Sequence, residues 1–187
     1  AIVQKRGLNA LMDTLIQRLE AAIKGFDPEQ TSIPVRSGFN YMQPQMGLIE
    51  WMPLYEKGQN VVIKLVGYHP HNPKQFDLPT IVSTISSYDT TTGHLEGIMD
   101  GVLLTALRTG AASAVASKYM AHPESSTLGL IGNGAQAVTQ LHAISRMFPI
   151  KKVLVCDTNV ANMLSFEKRC AALNLDVEIV PSDQSTV

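Results

Sequence analysis

The chain has 187 residues, enough for one large domain or two small ones, and 45% of them are hydrophobic, so a core of ordinary size is within reach. Fifteen basic residues against 16 acidic ones leave no basic excess for a nucleic acid to meet. No apolar run approaches the ~20 residues of a membrane-spanning helix, and the N-terminal stretch is charged where a signal peptide needs its apolar centre. Two cysteines, Cys156 and Cys170, imply a reducing, cytoplasmic setting rather than a disulfide scaffold.

Residues 8–23 read as an amphipathic helix, with Leu8, Leu11, Met12, Leu15, Ile16, Leu19 and Ile23 on one face, ended by Gly25 and Asp27-Pro28. Strand-like runs follow near 33–40, 47–52 and 60–68, with Pro, Gly and Asn between them. The runs 80–88 and 94–98 flank Asp89-Thr90-Thr91-Thr92-Gly93, a hairpin loop. The first half is therefore expected to be an antiparallel or mixed sheet packed on the N-terminal helix. Residues 100–121 read as a central helix rich in Ala, Gly and Ser, able to admit a close backbone neighbour and broken near Gly110. From 127 onward the order is strand (127–132), helix (134–148), strand (151–157), helix (161–174) and strand (176–181). Short links make this a parallel, right-handed βαβαβ unit.

Where the first of these strands meets its helix the sequence reads LGLIGNGAQA, with Gly132-x-Gly134-x-x-Ala137. A strand before and a helix after turn a weak motif into a dinucleotide-binding hypothesis. Gly132 permits the sharp turn, Gly134 lets a pyrophosphate approach bare backbone, and Ala137 keeps helix and strand close. The helix N-terminus adds unpaired N–H groups and a positive dipole end. Asp157 ends the second strand, 23 residues after Gly134, where an acid accepts hydrogen bonds from ribose hydroxyls and disfavours a 2′-phosphate. NAD is thus preferred to NADP. The competing reading is a structural turn, with Asp157 capping the next helix.

Other candidates are single residues. Lys64 inside VVIKLVG is either an edge-strand guard or a desolvated cation facing a ligand. Arg36 reads by itself as a surface charge. Arg108 is the one charge between Asp100 and Lys118, on a helix apolar enough to be buried, and a buried arginine needs an anion. Glu50 in LIEWMP is either an outward-facing acid or a contact for a substrate amine. His69-x-His71 lacks the accompanying carboxylates of a metal site, so no metal is expected. Cys156 reads as a structural thiol.

Taken in order, IPVRSGF, GLIEWMP, VVIKLVGYHP, LPTIV, LTALRTGAASAVASKYMA and LGLIGNGAQA resemble the ornithine cyclodeaminase/mu-crystallin family, across essentially the whole chain. Glu-x-Met-Pro and the opening KRGLNALMDTLIQRLE look closest to its ornithine cyclodeaminase branch. The resemblance implies a homodimer with two domains. Residues 1–124 would form an α+β substrate-binding and dimerisation domain containing the central helix. Residues 125–187 would form the first half of a Rossmann-type, parallel-sheet, NAD-binding domain, giving an α/β fold. It assigns Arg36, Lys64 and Arg108 to the substrate carboxylate, and Glu50, with Lys64, to catalysis. Thr80 and Thr109 would lie near the nicotinamide or phosphates. Gly132, Asn133, Gly134, Ala135, Gln136, Asp157 and Thr158 would form the cofactor loop and ribose site. The family's catalytic aspartate lies on a later strand-loop, so a longer protein is expected and these 187 residues alone are expected to be inactive. The activity implied is NAD-dependent conversion of a small L-amino acid. In the cyclodeaminase form, L-ornithine gives up its Cα hydride to NAD⁺ and the δ-amine attacks the resulting imine. Ammonia leaves and the hydride returns to yield L-proline. An amino-acid dehydrogenase, a cyclic ketimine reductase and a non-catalytic nucleotide- or ligand-binding protein are the alternatives within the same scaffold.

Overall fold

The computed structural model describes residues 2–183. Contacts gather the chain into two compact units, residues 25–105 and residues 1–24 with 106–187. These contact units divide the chain elsewhere than the 1–124 and 125–187 division, which separates expected roles.

The first unit is an antiparallel sheet. Its strands are β1 (Thr31–Ser32), β2 (Ser37–Tyr41), β3 (Gly47–Glu56), β4 (Asn60–Tyr68), β5 (Ile81–Asp89) and β6 (Leu95–Asp100). The order is β1-β3-β4-β5-β6, with β2 also on β3. β1 pairs the far end of β3, Thr31 against Glu56, and β2 its near end, Ser37 against Trp51 and Tyr41 against Gly47. Period-two alternation then sets two faces. Glu50, Met52, Lys64 and Val66 share one, since Glu50 pairs Val66 and Met52 pairs Lys64. Trp51 and Leu65 share the other. The β5–β6 hairpin closes as expected: the Asp89 carboxylate accepts the N–H of Thr92 at 2.7 Å, and Gly93 takes a φ of 72°. Helices α1 (Ile2–Arg6) and α2 (Leu8–Lys24) precede the sheet in the chain, and a short helix, α3 (Asn72–Gln75), lies between β4 and β5.

The second unit is built on a parallel sheet of β7 (Thr127–Ile131), β8 (Lys152–Cys156) and β9 (Glu178–Pro181), in that order. Between the strands run α5 (Ala135–Ser145), then α6 (Val160–Leu164), α7 (Phe166–Cys170) and a 3₁₀ turn (Ala171–Leu173). The single helix expected over 161–174 is interrupted at Ser165, whose hydroxyl donates to the carbonyl of Ala161 at 2.7 Å. Val153 and Val155 of β8, Leu141 of α5 and Phe166 of α7 form a core with no exposed surface. Sealing Phe166 alone is worth about 2–3 kcal/mol.

The expected packing of the N-terminal helix is corrected. Met12 and Ile16 of α2 lie in one cluster with Leu107, Ala111, Ala114 and Val115 of α4 (Val102–Met120) and Ala143 of α5. Polar pairs hold the same arrangement. The Asn9 side-chain oxygen meets Nε2 of His142 at 2.8 Å. One turn on, the Arg146 guanidinium donates to both oxygens of Asp13 at 2.7 and 2.8 Å. Glu20 ties α2 to the end of α4, accepting from Lys118 at 2.9 Å and from the Tyr119 hydroxyl. α4 runs unbroken through Gly110. A Cβ there would lie 2.2 Å from the carbonyl oxygen of Thr139, so the glycine marks a close crossing of α4 and α5.

Two of these groups contribute to the response to acid. Hydrogen bonds from Lys24, Tyr119 and Lys118 hold Glu20 at about 2, against an ordinary 4.5. Its contribution is therefore complete above pH 4.5 and is lost as the pH falls towards 2. Burial, helped by the Arg146 charge, depresses His142 below its ordinary 6.5, so neutral His142 is favoured by the fold and stability falls as the pH drops below 6.5. Urea titrations from pH 8 to 3 are expected to show the upper loss in wild type but not in His142→Gln. An identical upper loss in both proteins would refute the assignment to His142.

Candidate functional site

The loop between β7 and α5 is fastened at both ends. The Gly132 N–H donates to the Cys156 carbonyl at 2.7 Å, and Gly132 takes a φ of 88°, which favours glycine. Asn133 is fully buried; its Nδ2 donates to the Leu130 carbonyl at 3.3 Å, and its Oδ1 has no partner among the described residues. An orphaned buried acceptor is unusual in a loop built only for stability. Gly134 is the N-cap of α5, whose first turn receives no side-chain cap. A Cβ on Gly134 would meet nothing within 4 Å, and its φ of −70° suits any residue. Neither packing nor backbone strain therefore accounts for this glycine. Open space against bare backbone, at the uncapped start of an 11-residue helix, is the geometry a diphosphate requires, and the residues present fit a dinucleotide. Ala135 and Gln136 form that first turn, and Ala137 is buried against the sheet.

Asp157 closes the loop from β8. One carboxylate oxygen accepts the Asn133 N–H at 2.5 Å and the other the Asn159 N–H at 2.7 Å. These two N–H groups, Asn159's first, hold the acid below the usual carboxylate range. Asp157 remains half-exposed and Thr158 beside it is exposed. The capping role belongs to Asn159, whose side chain accepts from Ala161 at 3.0 Å. Sequence reasoning missed Arg169 of α7, which donates to the carbonyls of Asn133, Gly134 and Asn162. It lies 35 residues beyond Gly134, and no local pattern signals it.

In the sheet unit, Arg36 and Glu50 come together, with 3.5 Å between Nη1 and Oε2. Lys64 shares Glu50's face, two residues along β4 from Val66, the residue that pairs Glu50. Residues at such diagonal positions lie about 7–8 Å apart, within reach of a common small ligand. Ser83 of β5 pairs Val66 on that face and accepts from Thr105 at 3.3 Å. Gly38 is a further site residue that the sequence reading passed over. A Cβ there would lie 2.2 Å from the Ile49 carbonyl and 2.9 Å from Cγ of Glu50, so the strand glycine lets β2 sit close beside the acid. Thr80 is half-buried, and its carbonyl accepts the His69 N–H at 2.8 Å. His69 Nε2 meets the Tyr41 hydroxyl at 2.6 Å, while His71 precedes α3.

Arg108 is corrected. It is exposed on α4, not buried. Leu107, Ala111, Ala114 and Val115 form the buried stripe, whereas Arg108, Ala112 and Ala116 follow one another at four-residue spacing on the exposed one. An exposed cation needs no internal anion and remains available to a ligand. Thr109, next to it, is half-buried, and its carbonyl accepts from Ser113 at 3.4 Å.

Comparison with known proteins bears on the chain as a whole. The model of the ornithine cyclodeaminase/mu-crystallin family matches residues 2–187. L-lysine cyclodeaminase of Streptomyces rapamycinicus is 42% identical over 174 residues, covering 92% of this chain and 51% of that protein. A solved lysine cyclodeaminase, described for its recognition of L-lysine, L-ornithine and L-2,4-diaminobutyric acid, superposes with a TM-score of 0.86 at 50% identity, over 96% of this chain and 52% of that one. Thermococcus litoralis Δ1-pyrroline-2-carboxylate reductase, solved with NADH and L-proline, superposes with a TM-score of 0.81 at 35% identity, over 91% and 53%. This chain spans about half the length of the relatives it matches.

Proposed function

This chain belongs to the ornithine cyclodeaminase/mu-crystallin family, and from that premise we propose that it forms part of an NAD-dependent enzyme acting on a small L-amino acid, with L-ornithine as substrate and L-proline and ammonia as products. The observation that carries the reading is the acid and two cations in the sheet unit: Glu50 beside Arg36 at 3.5 Å, with Lys64 on the same face. An amino acid is a zwitterion, and that set can bind both ends of one. Arg36 and Lys64 grip the carboxylate, with Arg108 as a third cation by the family's motif. Glu50 receives the ammonium group and exchanges protons with it as the α-amine becomes an imine. Gly132–Gln136 and Asp157 would hold NAD, which when bound would take the hydride from the α-carbon and return it to the cyclic imine. Thr80, Thr109 and Thr158 are assigned as polar contacts of that cofactor. Between these two hydride transfers a second amine on the side chain attacks the imine carbon and ammonia leaves, closing the ring as a cyclic imine, consistent with the diamino acids recognised by the lysine cyclodeaminase relative.

We further assign a homodimer. On the sheet face opposite Glu50 and Lys64, Phe39, Leu65 and Ile98 are 67%, 40% and 67% exposed, an apolar surface suited to a second copy. A cytoplasmic location fits the free thiols Cys156 and Cys170. Among the described residues no helix is long and apolar enough to cross a membrane, and none of the His, Cys, Asp and Glu side chains are grouped as metal ligands.

The test incubates the complete protein with NAD⁺ and a panel of L-amino acids, following ammonia and NADH absorbance together. Ammonia and L-proline formed from L-ornithine without net NADH support the cyclodeaminase. NADH rising in step with substrate loss moves the protein to the dehydrogenases, and NAD binding without turnover of any amino acid or imine to the non-catalytic members. Arg108→Ala is expected to weaken amino-acid binding about 10- to 100-fold, the scale of one lost charged hydrogen bond, and to leave NAD affinity unchanged. Equal losses for both ligands would reassign Arg108 to the cofactor or to the fold.

A further inference from the structure

We propose that Arg169 is the positioning residue of the dinucleotide loop, setting the direction in which the N–H groups of Gly134 and Ala135 face. This rests on the NAD reading above. From α7 the guanidinium reaches three main-chain carbonyls. Nη2 donates to Asn133 and, at 2.9 Å, to Asn162, and Nη1 donates to Gly134 at 3.3 Å. Its Cζ lies 5.3 Å from the ring centre of Phe166, which has no exposed surface and so provides a fixed platform. A planar fork with several fixed donors is suited to this task in a way a single ammonium is not.

The consequence follows from peptide planarity. In a trans peptide the C=O of one residue and the N–H of the next point in opposite directions. Arg169 draws the carbonyls of Asn133 and Gly134 to its own side, so the N–H groups of Gly134 and Ala135 are turned to the other. Asp157 acts on the preceding peptide by accepting the Asn133 N–H. The loop is therefore held by an anion at one N–H and a cation at two carbonyls. What it presents is a pair of oriented donors at the uncapped start of α5, beside the space left at Gly134. The ligand class that uses two such donors is a diphosphate. Arg169 touches no part of the dinucleotide in this assignment; it acts through the backbone.

The test compares the complete wild-type protein with Arg169→Lys and Arg169→Gln, titrating NAD and ADP-ribose calorimetrically. Hydrogen exchange of the peptide spanning 132–136 and the melting temperature are measured in parallel. Arg169→Lys is expected to bind both nucleotides about 10-fold more weakly and to exchange faster at 132–136. Its KM for the amino acid at saturating NAD and its melting temperature should stay close to wild type. Arg169→Gln is expected to show a larger loss. Nucleotide affinity within about twofold of wild type in Arg169→Lys overturns the proposal, whatever happens to the stability of Arg169→Gln. It would confine Arg169 to joining α6 and α7. A wild-type protein that binds neither nucleotide would instead overturn the NAD reading itself.

Discussion

Gly110→Ala is expected to destabilise the unit containing α4 and α5 by roughly 3 kcal/mol, at the upper end of the usual overpacking range. The new methyl carbon would stand 2.2 Å from the Thr139 carbonyl oxygen, 2.7 Å from its carbon and 3.3 Å from Cβ of Ala143. The first two are main-chain atoms of α5, so no rotamer change relieves them and the helices must separate. Alanine's higher helix propensity returns only about 1 kcal/mol. The cluster of Met12, Ile16, Leu107, Ala111 and Ala143 lies around this crossing, and separation would open it. Because Gly134 is the N-cap of α5, the displacement should also weaken NAD binding. Ala112→Gly, on the exposed stripe of the same helix, provides the control and should cost about 1 kcal/mol without a change in NAD affinity. Urea unfolding of the two variants checks the contrast. A Gly110→Ala protein as stable as wild type would mean that the helices do not cross this closely.

The same helix shows why part of the fold was legible in the sequence and part was not. The βαβαβ order could be read because its apolar runs are short and its links carry strong breakers. The glycine loop could be read because a strand precedes it and a helix follows. α4 offered less: Ala111 and Ala114 are buried while Ala112 and Ala116 are exposed, and alanine is compatible with either setting. Its composition reads as that of a buried helix, which would put Arg108 inside, whereas Arg108 lies on the exposed stripe. The amphipathic stripe of α2 showed that one face is covered, but stripes do not name their partners. The pairs that settle the matter, Asn9 with His142 and Asp13 with Arg146, join residues 133 positions apart. Arg36 and Glu50 were candidates for separate reasons, and only the β2–β3 register brings them together. Gly38 did carry a signal, a glycine inside a strand pattern next to a candidate cation, and close backbone approach was the available explanation. Arg169 carried none, because its targets are carbonyls that every residue possesses.

Asp157→Ser is expected to weaken NAD binding about 10- to 100-fold, and to weaken NADP binding less. Two effects add for NAD. The carboxylate accepts main-chain N–H groups at 2.5 Å from Asn133 and 2.7 Å from Asn159, and hydrogen bonds to a charged acceptor contribute about 1.5–3 kcal/mol. A serine hydroxyl on a shorter stem cannot serve both, so the loop loses its anchor at Asn133. Each carboxylate oxygen also has a second lone pair, which leaves the half-exposed acid able to accept from ribose hydroxyls while it holds the loop. For NADP the first effect remains but the second is reversed, because removing a negative charge relieves repulsion of the 2′-phosphate. The hydrogen bonds from Asn159 and Asn133 keep Asp157 ionised well below neutrality, so its contribution to this preference should not change between pH 8 and 6. Titrating both nucleotides into wild type and Asp157→Ser at the two ends of that range separates the roles. A preference for NAD that narrows in the variant places the acid at the ribose. Equal weakening for the two nucleotides confines Asp157 to tying the loop, and leaves the choice of cofactor to other residues.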